Sequence, residues 1–474
     1  MKRFVRTGLL CGLIACSSVA LGARPNIVMI VADDHGPWAL GAAGCADART
    51  PNLDRLCAEG VRLTNCFVVT PVCSASRAAL ITSRYPTEIG ITDYLSPSRE
   101  PQRGLDPSLP VWPRLLQRAG YKTALVGKWH LGQQDRYHPT KFGYDEFTGF
   151  RHGGFTSQDP LVEIDGKPVR VKGWTPDILT DHAIDFVRRT HRSAPFCLSL
   201  HFWAPHANAH TINNDRTWLP LSEADIGPFR ALDPQVPNPD YPKLDVTRVK
   251  RMTREYLGSV ASVDRNVGRL LRVLDELELA GNTVVIYTSD HGYNLGHHGI
   301  WHKGNGRWIL TDNTGFRPNL WDNSLRTPTV IRWPDHIPAG RVVDRSVTFL
   351  DWFPTLLEIA NVNVPDSVVI RGRSIQPLLQ GKPPADWNDD LFAQYRMWDW
   401  NQTGADLRTY RTTRWKLVRD YRHAGQDEFY DLRQDPAETR NLIDSANPQV
   451  VAAIGKLDRK LQDSMRAIGD DASH

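Results

Sequence analysis

The 474-residue chain has no run of basic residues and, after its first two dozen residues, no long apolar run. Nucleic-acid-binding proteins collect Lys and Arg on one face, whereas the formal net charge here is only +4. Three of those charges come from Lys2, Arg3 and Arg6 at the extreme N-terminus. A membrane-spanning helix needs about 20 consecutive apolar residues. We therefore expect neither nucleic-acid binding nor a transmembrane segment.

The first 23 residues have the pattern of an export signal. A cationic start precedes an apolar stretch and the small residues Gly22 and Ala23. The apolar stretch is short for a membrane-spanning helix. We expect cleavage near residue 23 and an exported protein, periplasmic or secreted. Residues 13–16 also resemble a bacterial lipoprotein box, so lipid anchoring through Cys16 is the alternative.

Cysteine is scarce, with seven residues in the whole chain. Cys11 and Cys16 fall in the signal, and Cys73 has no partner cysteine at the spacing that a zinc site uses. An exported protein can form disulfides. Up to two bridges are open to the remaining residues, with a pairing that the spacing leaves undefined: Cys45, Cys57, Cys66 and Cys197.

Several short runs are apolar throughout, which is typical of strands in a parallel sheet that is covered on both faces. These runs are Asn26–Ala32, Tyr121–Val126, Pro195–Phe202, Thr283–Thr288 and Thr329–Trp333. Helical apolar patterns lie between them, over Leu109–Ala119, Thr180–Arg189 and Thr247–Leu277. This alternation predicts an α/β domain whose large, mostly parallel sheet lies between helices.

The pattern changes near residue 371. Short strand-like segments at 391–394, 407–411 and 415–419 precede a helical pattern at 450–465. They predict a smaller C-terminal α+β subdomain with an antiparallel sheet. The predicted division is a signal peptide at 1–23, a catalytic domain at 24–371 and the subdomain at 372–474.

Charged and polar side chains follow four of the predicted strands. Ligands of open α/β sheets bind at the carboxyl ends of the strands. Those positions carry Asp33 and Asp34, Lys128 and His130, His206, and Asp290 and His291. Each group alone has a structural explanation, since an Asp pair can cap a helix and a loop Lys is usually solvated. Their coincidence at four strand ends favours a functional site.

Three carboxylates at one sheet edge, without cysteine ligands, suit a hard cation such as Ca²⁺ or Mg²⁺. Such a cation offsets the repulsion between the carboxylates and acts as a Lewis acid on an anionic oxygen. The cationic side chains of Arg77, Lys128 and Lys303 then indicate an oxyanion substrate, which is a sulfate or phosphate ester.

At this point the chain resembles the formylglycine-dependent sulfatases of the alkaline phosphatase superfamily. Residues 73–77 (CSASR) resemble their Cys-x-Pro/Ala-x-Arg signature, and residues 80–82 continue it. Residues 120–130 resemble their second signature, and residues 429–442 their closing segment. The resemblance extends from the first strand to the C-terminal subdomain. It implies an alkaline phosphatase-like fold and a sulfuric ester hydrolase.

The resemblance also implies a modified residue. A formylglycine-generating or anaerobic sulfatase-maturating enzyme would oxidise Cys73 to formylglycine (3-oxoalanine), whose aldehyde hydrates to a diol. One hydroxyl of the diol attacks sulfur, and the alcohol leaves. The second hydroxyl then loses its proton, and a C–O bond breaks to release sulfate and re-form the aldehyde.

The resemblance carries metal and catalytic roles onto matching positions. Ca²⁺, with Mg²⁺ as the weaker candidate, would be held by Asp33, Asp34, Asp290, His291 and the modified Cys73. Arg77 would stabilise the diol, and His130 would be the base that expels sulfate. Contacts to the sulfate would come from Lys128, His206 and Lys303, of which His206 or Lys303 would protonate the leaving alcohol.

The chain departs from the usual pattern of these sulfatases at several positions. Ala75 stands where proline is frequent, Ser83 where glycine is usual, and His291 where many members have asparagine. Residues 304–323 form extra sequence between Lys303 and the turn at 326–328.

Tryptophan is abundant, with 15 residues, and several lie in polar segments where aromatic faces would stack on sugar rings. Core packing is the structural alternative. We predict a sulfated carbohydrate substrate, such as a glycosaminoglycan or another sulfated polysaccharide fragment. Its predicted contacts are Trp301, Arg307, Trp398 and Trp400, and the exposed Arg317 and Arg396 are further candidates for binding a uronate.

Two other functions are compatible with the sequence. A phosphonate monoester or phosphodiester hydrolase of the same superfamily would share the modified cysteine and the metal site. A non-catalytic sulfoglycan-binding protein would keep Cys73 unconverted.

Overall fold

The computed structural model describes residues 24–208, 211–212, 215–398 and 404–472. The predicted signal peptide, Cys16 and Trp400 lie outside the described residues. Among the described helices, none combines the length and the hydropathy that crossing a bilayer requires.

The strands form most of the scaffold. In chain order they are β1 Asn26–Ala32, β2 Val61–Phe67, β3 Lys122–Lys128, β4 Glu146–Phe150, β5 Leu161–Ile164, β6 Lys167–Arg170, β7 Phe196–His201, β8 Thr211–Ile212, β9 Asp215–Arg216, β10 Thr283–Ser289, β11 Arg326–Arg332, β12 Arg341–Val343, β13 Val347–Thr348, β14 Leu391–Met397, β15 Ala405–Arg411, β16 Trp415–Asp420 and β17 Glu428–Asp431.

The α-helices lie between these strands and after them. They are α1 Pro51–Glu59, α2 Cys73–Thr82, α3 Pro86–Ile89, α4 Trp112–Arg118, α5 Thr175–Thr190, α6 Glu223–Ile226, α7 Val246–Glu276, α8 Asp322–Leu325, α9 Trp352–Ile359, α10 Gln376–Leu379 and α11 Pro448–Ile468.

Within the described chain, the larger sheet has the strand order β12-β2-β11-β10-β1-β7-β3-β4-β5-β6, with β13 beside β2. Its centre is parallel, since β10, β1, β7, β3 and β4 all run in one direction. Antiparallel strands flank this centre, with β11 on one side and β5 on the other. The predicted large, mostly parallel sheet is confirmed.

The central strand β1 is apolar throughout because both of its faces are buried. Ile27 and Met29 enter a core that α4 and α9 complete with Trp112 and Phe353. Val28 and Ile30 point to the opposite core, which contains side chains of α5 and α7. A strand between two helical layers has no solvent face, so an alternating polar pattern has no place in it.

The C-terminal sheet has the order β14-β15-β16-β17 and is antiparallel, as predicted. The helix α11 covers it, and Leu457 and Leu461 pack with Leu417 and Phe429. Residues of β14 such as Ala393 belong to the core of the larger sheet. The boundary at 371/372 stays a prediction.

The five described cysteines are all unpaired, so the two disulfides that the sequence allowed are absent among them. Cys66 and Cys197 lie fully buried on separate strands of the larger sheet. Burial raises the pKa of Cys57 and of Cys66 to about 12, which keeps both thiols protonated.

Ser83 ends α2 in the left-handed conformation (φ 54°, ψ 37°), which glycine adopts at lower cost. Its hydroxyl donates to the carbonyl oxygen of Leu350 at 2.7 Å. Oγ of Ser83 also accepts the backbone N–H of Gly372 at 3.0 Å and that of Arg371 at 3.2 Å. These bonds give a physical reason for serine at this helix end.

We expect Ser83→Ala to lower the melting temperature. The alanine keeps the strained backbone and loses three hydrogen bonds, each of which contributes about 0.5–1.5 kcal/mol. Ser83→Gly is the matched control, since it loses the same bonds but relieves the strain, and its loss should be smaller. Calorimetry of the three proteins checks this order, and an alanine variant as stable as the parent would contradict it.

Candidate active site

Cys73 is the first residue of α2, a helix whose ten residues are all buried. Its Sγ lies 3.0 Å from Nζ of Lys303, 3.4 Å from Nε2 of His291 and 3.7 Å from Oδ1 of Asp33. Burial, reinforced by the charge of Asp33, raises the pKa of this thiol to about 12. A protonated thiol is a weak nucleophile, so the structure gives Cys73 none of the activation of a cysteine protease.

Two adjacent strands bring four predicted metal ligands together. The parallel strands β1 and β10 pair with Ala32 opposite Ser289. Asp33 and Asp34 therefore leave the sheet beside Asp290 and His291. One ligand atom from each of Asp33, Cys73, Asp290 and His291 lies within 4.8 Å of all the others.

The donor atoms of this cluster fit a cation. Oδ1 of Asp290 is buried without a hydrogen-bond partner, which is costly for a carboxylate. The unpartnered Oδ2 of Asp34 faces a neighbouring group instead, 3.7 Å from Nε2 of His206 and 3.9 Å from Nε2 of His302. Nδ1 of His291 donates to the carbonyl oxygen of Gly292 at 2.9 Å, because a carbonyl only accepts. Burial lowers the pKa of His291, so Nε2 keeps its lone pair.

That lone pair faces carboxylate oxygens, at 3.2 Å from Asp290 and 3.4 Å from Asp34. Lone pairs and carboxylates in such contact repel one another unless a cation lies between them. The arrangement therefore suits a divalent metal with oxygen and imidazole ligands.

The protein also supplies three cations of its own. Nε of Arg77 lies 3.0 Å from Oδ2 of Asp290, and Nζ of Lys303 lies 2.6 Å from Oδ1 of Asp34. Nζ of Lys128 forms a buried ion pair with Asp33. Burial would raise the pKa of Asp33, but Lys128 and other cations outweigh it and hold that pKa well below its usual range.

The predicted relation between Cys73 and Arg77 is present in the structure. The helix begins at Cys73, so the two residues are four apart and share one face. Both side chains contact Asp33, with Nη2 of Arg77 at 3.7 Å from Oδ2.

The histidines at the site are neutral. Nε2 of His130 donates to the carbonyl oxygen of Leu95 at 3.1 Å, and its buried Nδ1 has no partner. Nδ1 of His206 donates to the carbonyl oxygen of Ala207 at 2.6 Å. Burial, followed by the charge of Lys128, holds the pKa of His130 well below its usual value, and burial with Lys303 lowers that of His206 to about 3.

Lys303 reaches Cys73 because its loop is pinned against the start of α2. The N–H of Gly304 donates to the carbonyl oxygen of Pro71 at 3.2 Å. A Cβ at position 304 would lie 2.2 Å from Cγ of Pro71, so only glycine allows this approach. The extra sequence at residues 304–323 returns to the same point, where the backbone N–H of Asn319 donates to the carbonyl oxygen of Gly304 at 2.8 Å.

A cavity of about 320 Å³ opens above these groups. The predicted site residues in its lining are Cys73, Lys128, His130, His206, Trp301, Lys303 and Arg307. Trp398 is outside this lining, and the guanidinium of Arg103 lies 5.0 Å from its ring. Arg317 and Arg396 are also elsewhere, in ion pairs with Glu428 and Asp406.

Several lining residues escaped the sequence analysis, among them Tyr94, Asn208, Arg216, His302 and Asn305. His302 stacks on Trp301 with ring centroids 4.4 Å apart, and its Nε2 lies 3.9 Å from Oδ2 of Asp34. The sequence feature that could have identified His302 as a site residue was its position directly before Lys303. Arg216 lies in the long polar segment at 207–244, where no local pattern distinguishes it from a solvated residue.

Comparison with known proteins identifies the family. Residues 25–362 match the sequence model of the family described as Sulfatase. The chain belongs to the sulfatase family. Residues 316–467 of this sulfatase also match the model described as N-sulphoglucosamine sulphohydrolase, C-terminal.

Two curated sulfatases align with this chain over most of their own length. The N-acetylglucosamine-6-O-sulfatase of Bacteroides thetaiotaomicron is 30% identical, over 89% of this chain and 83% of the relative. The human (Homo sapiens) N-acetylgalactosamine-6-sulfatase is 31% identical, over 76% of this chain and 66% of the relative. These relationships indicate sulfuric ester hydrolase activity.

A solved structure has the same fold. It is described as a complex with its substrate D-glucosamine-2-N,6-O-disulfate, and it superposes with a TM-score of 0.80 at 26% identity. The superposition covers 94% of this chain and 99% of the other.

We expect Ca²⁺ to raise the melting temperature of the chelator-treated protein, since a ligand that binds only the folded state at a hundredfold excess over Kd adds about 2.7 kcal/mol. Asp290→Asn should remove most of that shift, because it replaces an unpartnered buried carboxylate oxygen. Calorimetry of the parent and the variant with Ca²⁺, Mg²⁺ or chelator measures this shift in melting temperature.

The control for this experiment is Asp386→Asn, which changes an exposed carboxylate outside the cluster. It should keep the shift of the parent protein. An Asp290→Asn variant with an undiminished shift would show that the cation binds elsewhere.

Proposed function

We propose that this sulfatase hydrolyses a sulfate ester on a carbohydrate, using a formylglycine made from Cys73 and a Ca²⁺ ion. The observation that supports it most directly is the position of Cys73. Its side chain lies at the floor of the cavity, among unpartnered carboxylate oxygens and within 3.0 Å of Lys303.

The metal would be held by Asp33, Asp34, Asp290 and His291, with the residue at position 73 completing the ligand set. Carboxylate oxygens predominate in this set, which favours Ca²⁺ over softer metals. When bound, the ion supplies Lewis-acid polarisation of a sulfate oxygen. It also removes the repulsion between the lone pair of His291 and its neighbouring carboxylates.

Position 73 needs chemistry that a thiol does not supply. The pKa of Cys73 is raised by burial, and the neutral nitrogen beside its Sγ, Nε2 of His291 at 3.4 Å, is a proposed metal ligand. Hydrated formylglycine at this position would supply a hydroxyl nucleophile toward sulfur. Arg77 would orient that group through Asp33 and Asp290, which it contacts from the same helix face.

Lys128 and Lys303 would bind the sulfate oxygens. Each ammonium has three hydrogens. Lys303 directs two of them at Asp34 and Cys73, so one hydrogen is left for the substrate. Lys128 is bonded to Asp33 and also lines the cavity. Fixed cations of this kind stabilise the charge that develops on the sulfate in the transition state.

His130 has the geometry of a general base. Because its Nε2–H is bonded to Leu95, the free Nδ1 carries a lone pair that can accept a proton. His206 is held in the opposite tautomer, with Nδ1–H bonded to Ala207. His206 is therefore an acceptor, and Lys303 is the group that carries a proton for the leaving alcohol.

The relatives point to the class of alcohol. The two curated relatives are named for 6-sulfates of N-acetylglucosamine and N-acetylgalactosamine, and the substrate in the solved structure carries a 6-O-sulfate. We propose a 6-sulfated hexosamine as the substrate of this chain. Trp301 lines the cavity and would contact the sugar.

We expect Cys73→Ala to lose all measurable turnover of 6-sulfated N-acetylhexosamines, since no other side chain at the site forms a diol. The protein should be expressed with a maturation enzyme. Mass spectrometry should then find the peptide with residue 73 lighter by the difference between a CH₂SH and a CHO group. Cys45→Ala, which changes a cysteine outside the cavity, should keep full activity.

A paired assay with aryl sulfate and aryl phosphonate esters tests the reaction class, and we expect the sulfate to have the higher kcat/KM. Dominant phosphonate hydrolysis would replace the proposed reaction with that of a phosphonate hydrolase. A peptide that retains the free thiol, together with an inactive enzyme, would indicate a binding protein.

A further inference from the structure

Two arginines line the cavity away from the sulfate-binding cations. They are Arg216 in β9 and Arg307 in the loop after Lys303, and both are half-buried. Within the described part of the chain, neither guanidinium has an ion pair or a hydrogen bond to a carboxylate. The adjacent Asp215 is already occupied, by Arg248 at 2.7 Å and Arg251 at 2.6 Å.

The two guanidinium groups are close enough to repel each other. Burial lowers the pKa of Arg216, and the charge of Arg307 lowers it further. Arginine stays charged even so. An anion placed between the two groups would convert this repulsion into attraction.

The charges on the floor of the site do not neutralise these arginines. Three cations, Arg77, Lys128 and Lys303, face the three carboxylates of Asp33, Asp34 and Asp290. A divalent metal and the scissile sulfate monoester, which carries one negative charge, add no surplus of negative charge. Arg216 and Arg307 therefore remain as excess positive charge that faces the bound substrate.

Aromatic rings hold both arginines in place. The guanidinium of Arg216 lies 5.8 Å from the ring centroid of Trp301, and that of Arg307 lies 5.9 Å from the ring of Phe316. Trp301 in turn stacks on His302, and the backbone N–H of Trp301 donates to the carbonyl oxygen of Arg307 at 3.4 Å. Stacking positions a guanidinium and leaves its N–H groups free for a bidentate oxyanion.

We propose that Arg216 and Arg307 form a subsite for a second anionic group of the substrate, a sulfate or a carboxylate, separate from the ester that is cleaved. The inference rests on the proposed function, because the second group must be carried by the same sulfated sugar or by its neighbour. It makes these arginines determinants of substrate choice and assigns them no part in bond cleavage.

The test compares three substrates that share one 6-O-sulfate. N-acetylglucosamine-6-sulfate carries no second anion, D-glucosamine-2-N,6-O-disulfate adds a sulfate, and a 6-sulfated hexosamine linked to a uronate adds a carboxylate. We expect the parent enzyme to have at least a tenfold higher kcat/KM for one of the two dianionic substrates. The preferred one identifies the anion.

Arg216→Gln should reduce this preference about tenfold, mainly through a higher KM for the preferred dianionic substrate. Arg307→Gln should act in the same direction. Arg216→Lys should restore part of the preference, because it returns the charge without the planar fork. The control Arg230→Gln changes an exposed arginine that pairs with Glu223, and it should leave the preference unchanged.

The outcomes separate this inference from the proposed function. If the parent enzyme has the same kcat/KM for the monosulfated sugar and for both dianionic sugars, the proposed subsite is overturned and the proposed function is not. The same holds if Arg216→Gln and Arg307→Gln lower kcat/KM equally for all three substrates. Turnover of aryl sulfates without turnover of any of the three sugars would overturn the proposed carbohydrate substrate and the subsite together.

Discussion

The parallel register between β1 and β10 determines the rest of the site. Because Ala32 pairs with Ser289, the residues that follow both strands emerge side by side, and two sequence-distant pairs become one cluster. The buried apolar strands on either side give this edge little freedom to relax. The helix that begins at Cys73, the cations and the cavity are all arranged around the carboxylates that the register places together.

Charge compensation is the second constraint. Asp33, Asp34 and Asp290 are fully buried, and burial of carboxylates is tolerated only when cations or hydrogen bonds offset the lost hydration. Arg77, Lys128 and Lys303 supply part of this compensation, and two oxygens remain unpartnered. The same side chains thus stabilise the folded chain and are the proposed substrate contacts, so stability and substrate recognition would be difficult to separate by mutation here.

The features that could be predicted from the sequence are those that leave a local periodicity or a motif. The sequence predicted β1 over the same residues as the structure, because both faces of this strand are buried and its pattern is unbroken. It missed β2, in which polar residues interrupt the apolar ones without a regular period, and β4, which is short and contains Gly149. Cys73 and its predicted metal ligands were proposed from their signature and their strand-end positions, and the structure brings Asp33, Asp290 and His291 to Cys73. Arg216 was not predicted, since its place in the cavity depends on tertiary contacts with Trp301 that no local pattern records.

The complete burial of α2 has a consequence for the timing of maturation. The proposed oxidation of Cys73 requires another enzyme to bind this segment, yet residues 73–82 are all buried in the folded protein and only the side chain of Cys73 faces the cavity. Under the proposed function, conversion of Cys73 and folding of α2 would therefore compete for the same segment. Faster folding of this segment would then leave a larger fraction of molecules unmodified, so the folding rate of α2 would limit the yield of converted protein.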